Sequence, residues 1–212
     1  MMNLDLHNAY QLSIRFAKQH TDYSLGLLRE ISATVLKNTG SSYNTALGTF
    51  DSSKGDFRKV NGSACSSGKS CINYSKVEDR LKKWCSEVNE KRNELLKSAE
   101  VYDKYLFTFD SHLDLLTIHP WVDGNGRTAR LVMNQLQFEL GLIFAKILKE
   151  DKAEYIDALI KAREEHDTKV FSSFMMALHI RNLQAEITEF KKSQEVSEDK
   201  TTFSRSTRVP GA

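Results

Sequence analysis

The residues best equipped for chemistry lie in one stretch of twelve, His119-Pro-Trp-Val-Asp123-Gly124-Asn125-Gly126-Arg127-Thr-Ala-Arg130. A histidine, a carboxylate, an amide, two glycines and two arginines share a short loop that runs into a helix. Pro120 disfavours helical geometry at His119, so the preceding helix is expected to end there. Asp123-Gly124-Asn125-Gly126 is turn chemistry, and its glycines permit positive φ and close approach of backbone to a ligand. Helix is expected to resume at about Asn125 to Arg127. The free N–H groups and positive dipole end of such a helix bind anions. Arg127 and Arg130, three residues apart, sit on the first turn and present fork-shaped donors suited to phosphate oxygens. A phosphate-rich ligand usually brings Mg²⁺, which takes only one or two protein carboxylates, and Asp123 is the sole carboxylate in the loop. His119 is then the base, with an ordinary pKa of about 6.5 that suits proton abstraction at neutral pH.

Rival readings of the same letters fail on particular positions. A calcium loop opening at Asp123 would need oxygen ligands where Arg127 and Asn134 stand. A dinucleotide fingerprint wants glycine at Ala129, where alanine is tolerated, but it also wants a strand before the loop, and the flank here is helical. A Walker A loop needs Gly-Lys-Ser/Thr, which is absent. A Gly-rich interhelix turn with charged residues gathered by chance is the bland alternative.

Amphipathic helices must position the loop. Apolar residues recur at helical spacing at Tyr10, Ile14 and Ala17; at Leu28, Ile31 and Val35; at Val77, Leu81, Trp84 and Val88, over about 76–97; and at Val101, Tyr105, Phe109, Leu113 and Leu116, running up to the loop. Leu131, Leu136 and Leu140 follow it and stop at Gly141. Tyr155 and Leu159, then Phe171, Phe174 and Leu178, mark two more helices. These stripes read as core, and His112 on one of them reads as a hydrogen-bonded core histidine. Residues 39–74 are rich in Gly, Ser and Asn and break the pattern. Phe57 to Val60 and Ser70 to Tyr74 are expected to be short strands of a hairpin with turns at Asn61-Gly62 and Ser67-Gly68, a plain surface loop being the alternative. From residue 191 the chain is polar and Ser/Thr-rich and is expected to be disordered.

The 212 residues favour one domain with tails, and 40% hydrophobic and 27% charged residues suit a soluble globule. A net charge of +2 without a basic stripe argues against a nucleic-acid partner. No apolar run reaches the roughly 18 residues of a membrane span, and the N-terminus lacks signal-peptide features, so no membrane partner and a cytoplasmic location are expected. Cys65, Cys71 and Cys85 have no zinc-ligand spacing and read as free thiols, with a Cys65–Cys71 bridge disfavoured in that compartment.

At residues 119–130 the chain resembles the Fic domain family, whose signature is His-Pro-Phe-x-Asp/Glu-Gly-Asn-Gly-Arg-x-x-Arg. Every fixed position matches except the third, where Trp121 replaces phenylalanine. The resemblance extends over roughly residues 24 to 180: Gly55-Asp-Phe-Arg58 is similar to the family's Gly-x-Phe/Tyr-Arg, and Tyr155, Ala158-Leu159 and Ala162 to its post-motif helix. It implies an all-α fold, a helical bundle with a small β-hairpin flap at about 55–74, divided into an N-terminal helix (1–23), the family domain (24–185) and the end of the last helix with a tail (186–212). It implies an Mg²⁺-dependent protein adenylyltransferase that moves AMP from ATP to a Ser, Thr or Tyr hydroxyl of a target protein docked on the flap, releasing pyrophosphate. Transfer of another nucleotide such as UMP, or a non-catalytic ATP-binding adaptor, are the alternatives. By the same resemblance His119 is the base, Asp123 holds Mg²⁺, Asn125 orients the α-phosphate, Gly124, Gly126 and Arg127 hold the β-phosphate and Arg130 the γ-phosphate, with Tyr155 also at the ATP site. Gly126 stands where a kinase branch of the family carries lysine, which favours nucleotidyl transfer. Many relatives are silenced by a helix Ser/Thr-x-x-x-Glu-Gly/Asn whose glutamate pairs with the last arginine. Here Ser86-x-x-x-Glu90 precedes Lys91 inside an expected core helix and does not qualify, so the resemblance implies a separate inhibitory, antitoxin-like protein as a partner, a lost N-terminal part, or an uninhibited enzyme.

Overall fold

The computed structural model describes residues 2–61 and 72–206, with side chains to residue 194. The helices are α1 (Met2–Lys18), α2 (Leu25–Val35), α3 (Val77–Leu95), α4 (Val101–Ile118), α5 (Asn125–Glu139), α6 (Lys152–Glu165) and α7 (Thr168–Ser206). They follow the apolar stripes read from the sequence. In α2 the Ser24 hydroxyl caps the first turn by accepting from the Leu27 N–H (3.2 Å), and Leu27, Leu28, Ile31 and Val35 form the buried face. In α4 every apolar stripe residue except Val101 is buried.

Two helices form the centre. α4 packs on α3, α5 and α7, while α5 packs on α1, α2 and α4. Helix α5 is buried on nearly all sides although it carries polar residues. Several of those side chains find partners, as most buried polar groups do, while Thr128 Oγ1 and Gln135 Oε1 have none among the described residues. Gln137 donates to Thr108 Oγ1 (3.2 Å) and accepts from the Ala145 N–H (2.9 Å). Glu139 meets Arg92 of α3 (3.4 Å), and the Tyr23 hydroxyl donates to its carboxylate (3.3 Å). The start of α5, which carries the motif, is therefore held by a helix locked on several sides.

The hairpin does not lie where the sequence placed it. Strands β1 (Ser42–Thr45) and β2 (Gly48–Asp51) pair antiparallel with Tyr43 opposite Phe50, and the two rings stack at 5.0 Å. Phe57 to Val60 is irregular, because its groups are spent elsewhere. The Phe57 ring packs on Trp121 and under the Arg29 guanidinium, while the Arg58 N–H donates to the Pro120 carbonyl (2.9 Å). The turn residues 62–69 and the proposed strand start at Ser70 and Cys71 lie outside the described residues. Ile72 and Asn73 are irregular, and Tyr74–Lys76 form a 3₁₀ turn. The two arms of this segment are nonetheless tied at their base. Arg58 donates to the carbonyls of Val60 and Ile72, and the Tyr74 N–H donates to Asn61 Oδ1 (3.0 Å).

The C-terminal segment is also corrected. Helix α7 continues through residues 191–206, where composition alone reads as disorder. No glycine or proline stands between Gly141 and Pro210 to stop it, and Lys, Gln and Glu are good helix formers. Among the described residues no helix is long and apolar enough to cross a membrane. Cys85 is a buried free thiol whose pKa burial pushes up to about 12; Cys65 and Cys71 lie outside the described residues.

Candidate active site

Local sequence sets the loop. α4 ends at Ile118, and His119 takes φ 51° and ψ 63° as its cap, its N–H donating to the Leu115 carbonyl (3.1 Å). Pro120 makes the helical alternative costly. Gly124 is the N-cap of α5 at φ 76°, and a Cβ there would stand 3.2 Å from Leu36 Cδ1. The positive φ favours glycine, and any Cβ there would push Leu36 aside by a few tenths of an ångström. No side-chain cap bond closes the first turn of α5, and uncapped N–H groups at a helix start are suited to an anion.

Trp121 anchors the loop. It is fully buried, and its indole N–H donates to the Gly55 carbonyl (3.2 Å), a bond phenylalanine could not make. Gly55 itself has φ 74°, and a Cβ there would meet the Arg29 carbonyl oxygen at 2.1 Å. Arg58 completes the junction by donating through Nε to the His119 carbonyl (2.8 Å). The Gly55-to-Arg58 stretch therefore fixes the backbone on both sides of the histidine. Asn125 is buried and closes the loop from within. Its Oδ1 accepts from the Trp121 N–H (3.0 Å) and its Nδ2 donates to the Trp121 carbonyl (2.8 Å). Each end of this amide makes one bond that holds the loop in shape.

His119 faces a cleft of about 400 Å³ lined also by Gly126, Arg130, Tyr155, Leu159 and Arg163. Burial, then the charges of Arg163 and Arg58, push its pKa down to about 4. The imidazole is neutral at pH 7, the form that takes a proton. Arg130 packs over Gly126, where an added Cβ would lie 3.4 Å from Nη1. Tyr155, buried, hydrogen-bonds His112 Nε2 (2.8 Å), and burial pushes its phenol up to about 12 against the opposing charges of Arg130 and Arg163. His112 is a satisfied core histidine on that nitrogen, pushed down to about 4 chiefly by burial. Asp123 is exposed, bonded to the Gly124 N–H (2.6 Å) and paired with Arg127 (3.1 Å). A larger, mostly apolar groove of about 660 Å³ lies beyond Arg130, between α1 and α5. His7 of α1 lines it, whereas the motif histidine His119 opens onto the smaller cleft.

The structure thus brings His119, Gly126, Arg130 and Tyr155 together around one cleft, while Asn125 lies inside the scaffold and Arg127, paired with Asp123, lines the larger groove instead. Sequence reasoning passed over Arg163, Lys149 and Lys152, which line the same cleft. Arg163 lies eight residues after Tyr155 with Leu159 between, a same-face spacing that marks it. As for Mg²⁺, Asp123 supplies one exposed carboxylate beside an open anion site, which fits an ion that takes most of its ligands from phosphate and water.

Comparison with known proteins agrees with this geometry. Residues 22–137, more than half of the chain, match the Fic/DOC family. The protein adenylyltransferase Fic of Nematostella vectensis is 35% identical over 91 residues, covering 43% of this chain and 21% of that protein. The enzyme of the same name from Drosophila mojavensis is 42% identical over 65 residues, covering 31% and 13%. The chain therefore spans about a fifth or less of these relatives. A Fic-domain signaling protein of Bacteroides thetaiotaomicron shares the fold, with TM-score 0.67, 18% identity, and 86% of this chain and 71% of the other covered. Fic-1 of C. elegans shares it too, at TM-score 0.63, 22% identity, 87% and 51%. With a family match across the motif and the helices that hold it, this chain belongs to the Fic/DOC family.

Proposed function

We propose that the chain is a protein adenylyltransferase that moves AMP from ATP to a Ser, Thr or Tyr hydroxyl of a target protein. One observation carries the reading: a neutral His119 shares a cleft with Arg130 and the open start of α5. The names of the curated relatives support AMP as the group moved. The triphosphate would lie on the first turn of α5, with Gly124, Gly126 and Arg127 on the β-phosphate and Arg130 on the γ-phosphate. Arg127 would leave Asp123 to do so, freeing the carboxylate for Mg²⁺. That ion, when bound, supplies charge neutralisation at the phosphates. The target segment would dock along residues 55–74, whose base Arg58 ties to the His119 backbone. His119 takes the hydroxyl proton as the oxygen attacks the α-phosphorus. The bond to the bridging oxygen breaks, and pyrophosphate leaves with its charge on the two arginines. Catalysis is by positioning and charge stabilisation rather than a covalent enzyme intermediate. Asn125 serves by holding the loop.

A second reading, transfer of a different nucleotide, is favoured by the far wall of the cleft. Lys149, Lys152 and Arg163 line it, with no carboxylate among the lining side chains. Such donors suit the carbonyl edge of uracil or guanine. The test is labelling of a lysate with ATP, UTP and GTP in parallel plus Mg²⁺, comparing the chain with His119→Ala. Loss of a positioned base should cut labelling about 100-fold or more. Equal labelling by both proteins sinks the proposal, and tight ATP binding without labelling of any target assigns an adaptor role instead.

A further inference from the structure

Helix α7 carries an apolar stripe that the fold leaves open. Met176, Ile180, Leu183, Ile187 and Phe190 follow one another at steps of four, three, four and three. That is the heptad seam of a coiled coil, with Ile180 and Ile187 at a and Met176, Leu183 and Phe190 at d. Ile180, Ile187 and Phe190 are 47%, 54% and 63% exposed, while Met176 and Leu183 are half-buried. The same helix meets the body along a different face. The His179 ring lies 4.6 Å from that of Tyr105, Asn182 donates to the Lys146 carbonyl (3.1 Å), and Glu186 pairs with Lys146 (2.6 Å). The stripe lies about a quarter of a turn round from those contacts, at about 100° per residue. Apolar groups this numerous on one side of a molecule mark an interaction surface.

We propose that this face pairs with α7 of a second copy of the chain in a parallel, two-stranded coiled coil. Two features select that occupant. Isoleucine at both a positions with leucine at the central d favours two strands over three or four. The flanking charges then choose the direction. Glu186 is at g and Lys191 at e, five residues on. In a parallel pair in register, Glu186 of each chain faces Lys191 of its partner, whereas an antiparallel pair sets Glu186 against Glu186. Glu186 is half exposed in its contact with Lys146, so a second cation can reach it. The seam from Met176 to Phe190 is about 22 Å long at about 1.5 Å per residue.

The test is the mass of the full chain by sedimentation over about 1 to 100 µM, since dimer stability depends on protomer concentration. The wild-type chain is expected to reach twice the mass of one chain. Ile187→Glu, at an exposed position that leaves the helical circular dichroism unchanged, should weaken pairing by about tenfold or more. K191E should also weaken it, by placing like charges face to face, and E186K combined with K191E should recover part of the loss. A wild-type chain that stays monomeric across the range overturns the proposal. So does a dimer insensitive to Ile187→Glu, and a charge swap that fails to recover pairing overturns the parallel arrangement.

Discussion

His119 shows how far a single side chain's chemistry depends on what surrounds it. Its type and its place before a proline mark it as a base at a helix end, and on those grounds an ordinary titration near neutrality is expected. In the fold, burial and the charges of Arg163 and Arg58 lower its pKa to about 4. A lowered histidine pKa means that the neutral, proton-accepting form persists well into acid. An NMR titration of the His119 Cε1 proton in the free protein should show a midpoint at about 4, and Arg163→Gln should move it upward by removing one of the two named charges. A midpoint near the ordinary value of about 6.5 would refute the placement of His119 in this cleft. Trp121 carries a related lesson. As a replacement for phenylalanine it reads as a mild exchange of one aromatic anchor for another. Its indole N–H also reaches the Gly55 carbonyl, which is sixty-six residues away along the chain.

At the scale of elements, the motif loop is held by the segment around Gly55 as well as by its own two helices. The tight turn there presents one carbonyl to Trp121, and Arg58 three residues on grips the His119 backbone. Gly55→Ala would force a Cβ to within 2.1 Å of the Arg29 carbonyl oxygen at a positive φ. Strain at φ and overpacking together should cost about 3 kcal/mol of stability. Urea unfolding of this variant should show a midpoint lowered in proportion, together with weakened nucleotide labelling, because the loop loses its anchor. An unchanged midpoint would mean that the segment does not carry the loop. Part of this was legible: the Gly-x-Phe-Arg resemblance marked the residues. Their purpose was not, since nothing in the spacing of residues 55–58 says which distant carbonyls and rings they will meet. The displaced hairpin has the same cause. Phe57 has strand propensity, but a ring buried against Trp121 outweighs it, as tertiary packing overrides β-propensity.

The whole molecule has a response to acid written into its core. His112 is buried, hydrogen-bonded to Tyr155, and lowered to about 4. Below about pH 6.5 the unfolded chain takes up a proton there that the folded chain refuses, so folding stability falls as pH drops from about 6.5 toward 4. The full difference is about 3 kcal/mol for His112, and His119 acts in the same direction. Asp110, Asp114 and Glu139 oppose it, because burial raises each of them and favours the protonated folded state. The informative measurement is therefore a comparison. The urea midpoint of the wild-type chain should decline more steeply between pH 7 and pH 5 than that of His112→Gln, which keeps a polar partner for Tyr155 without titrating. Parallel slopes would show that His112 does not control acid stability.

By itself the sequence determined the features that neighbouring residues settle among themselves. A proline after His119 ends one helix, Gly124 opens the next, and apolar residues at helical spacing draw the stripes of α1 to α6 and the buried start of α7. These follow from local backbone sterics and from periodicity, which act over a few residues. The uncapped start of α5 at Gly124 belongs to the same class. The tertiary structure alone decided that Asn125 is spent inside the loop, that Arg163 and two lysines complete the cleft, that the strands stand at 42–51, and that the apolar seam of α7 is left uncovered. Each of these depends on desolvation, on charges brought together from distant parts of the chain, or on which face of a helix finds a neighbour, and such quantities exist only once the chain has packed.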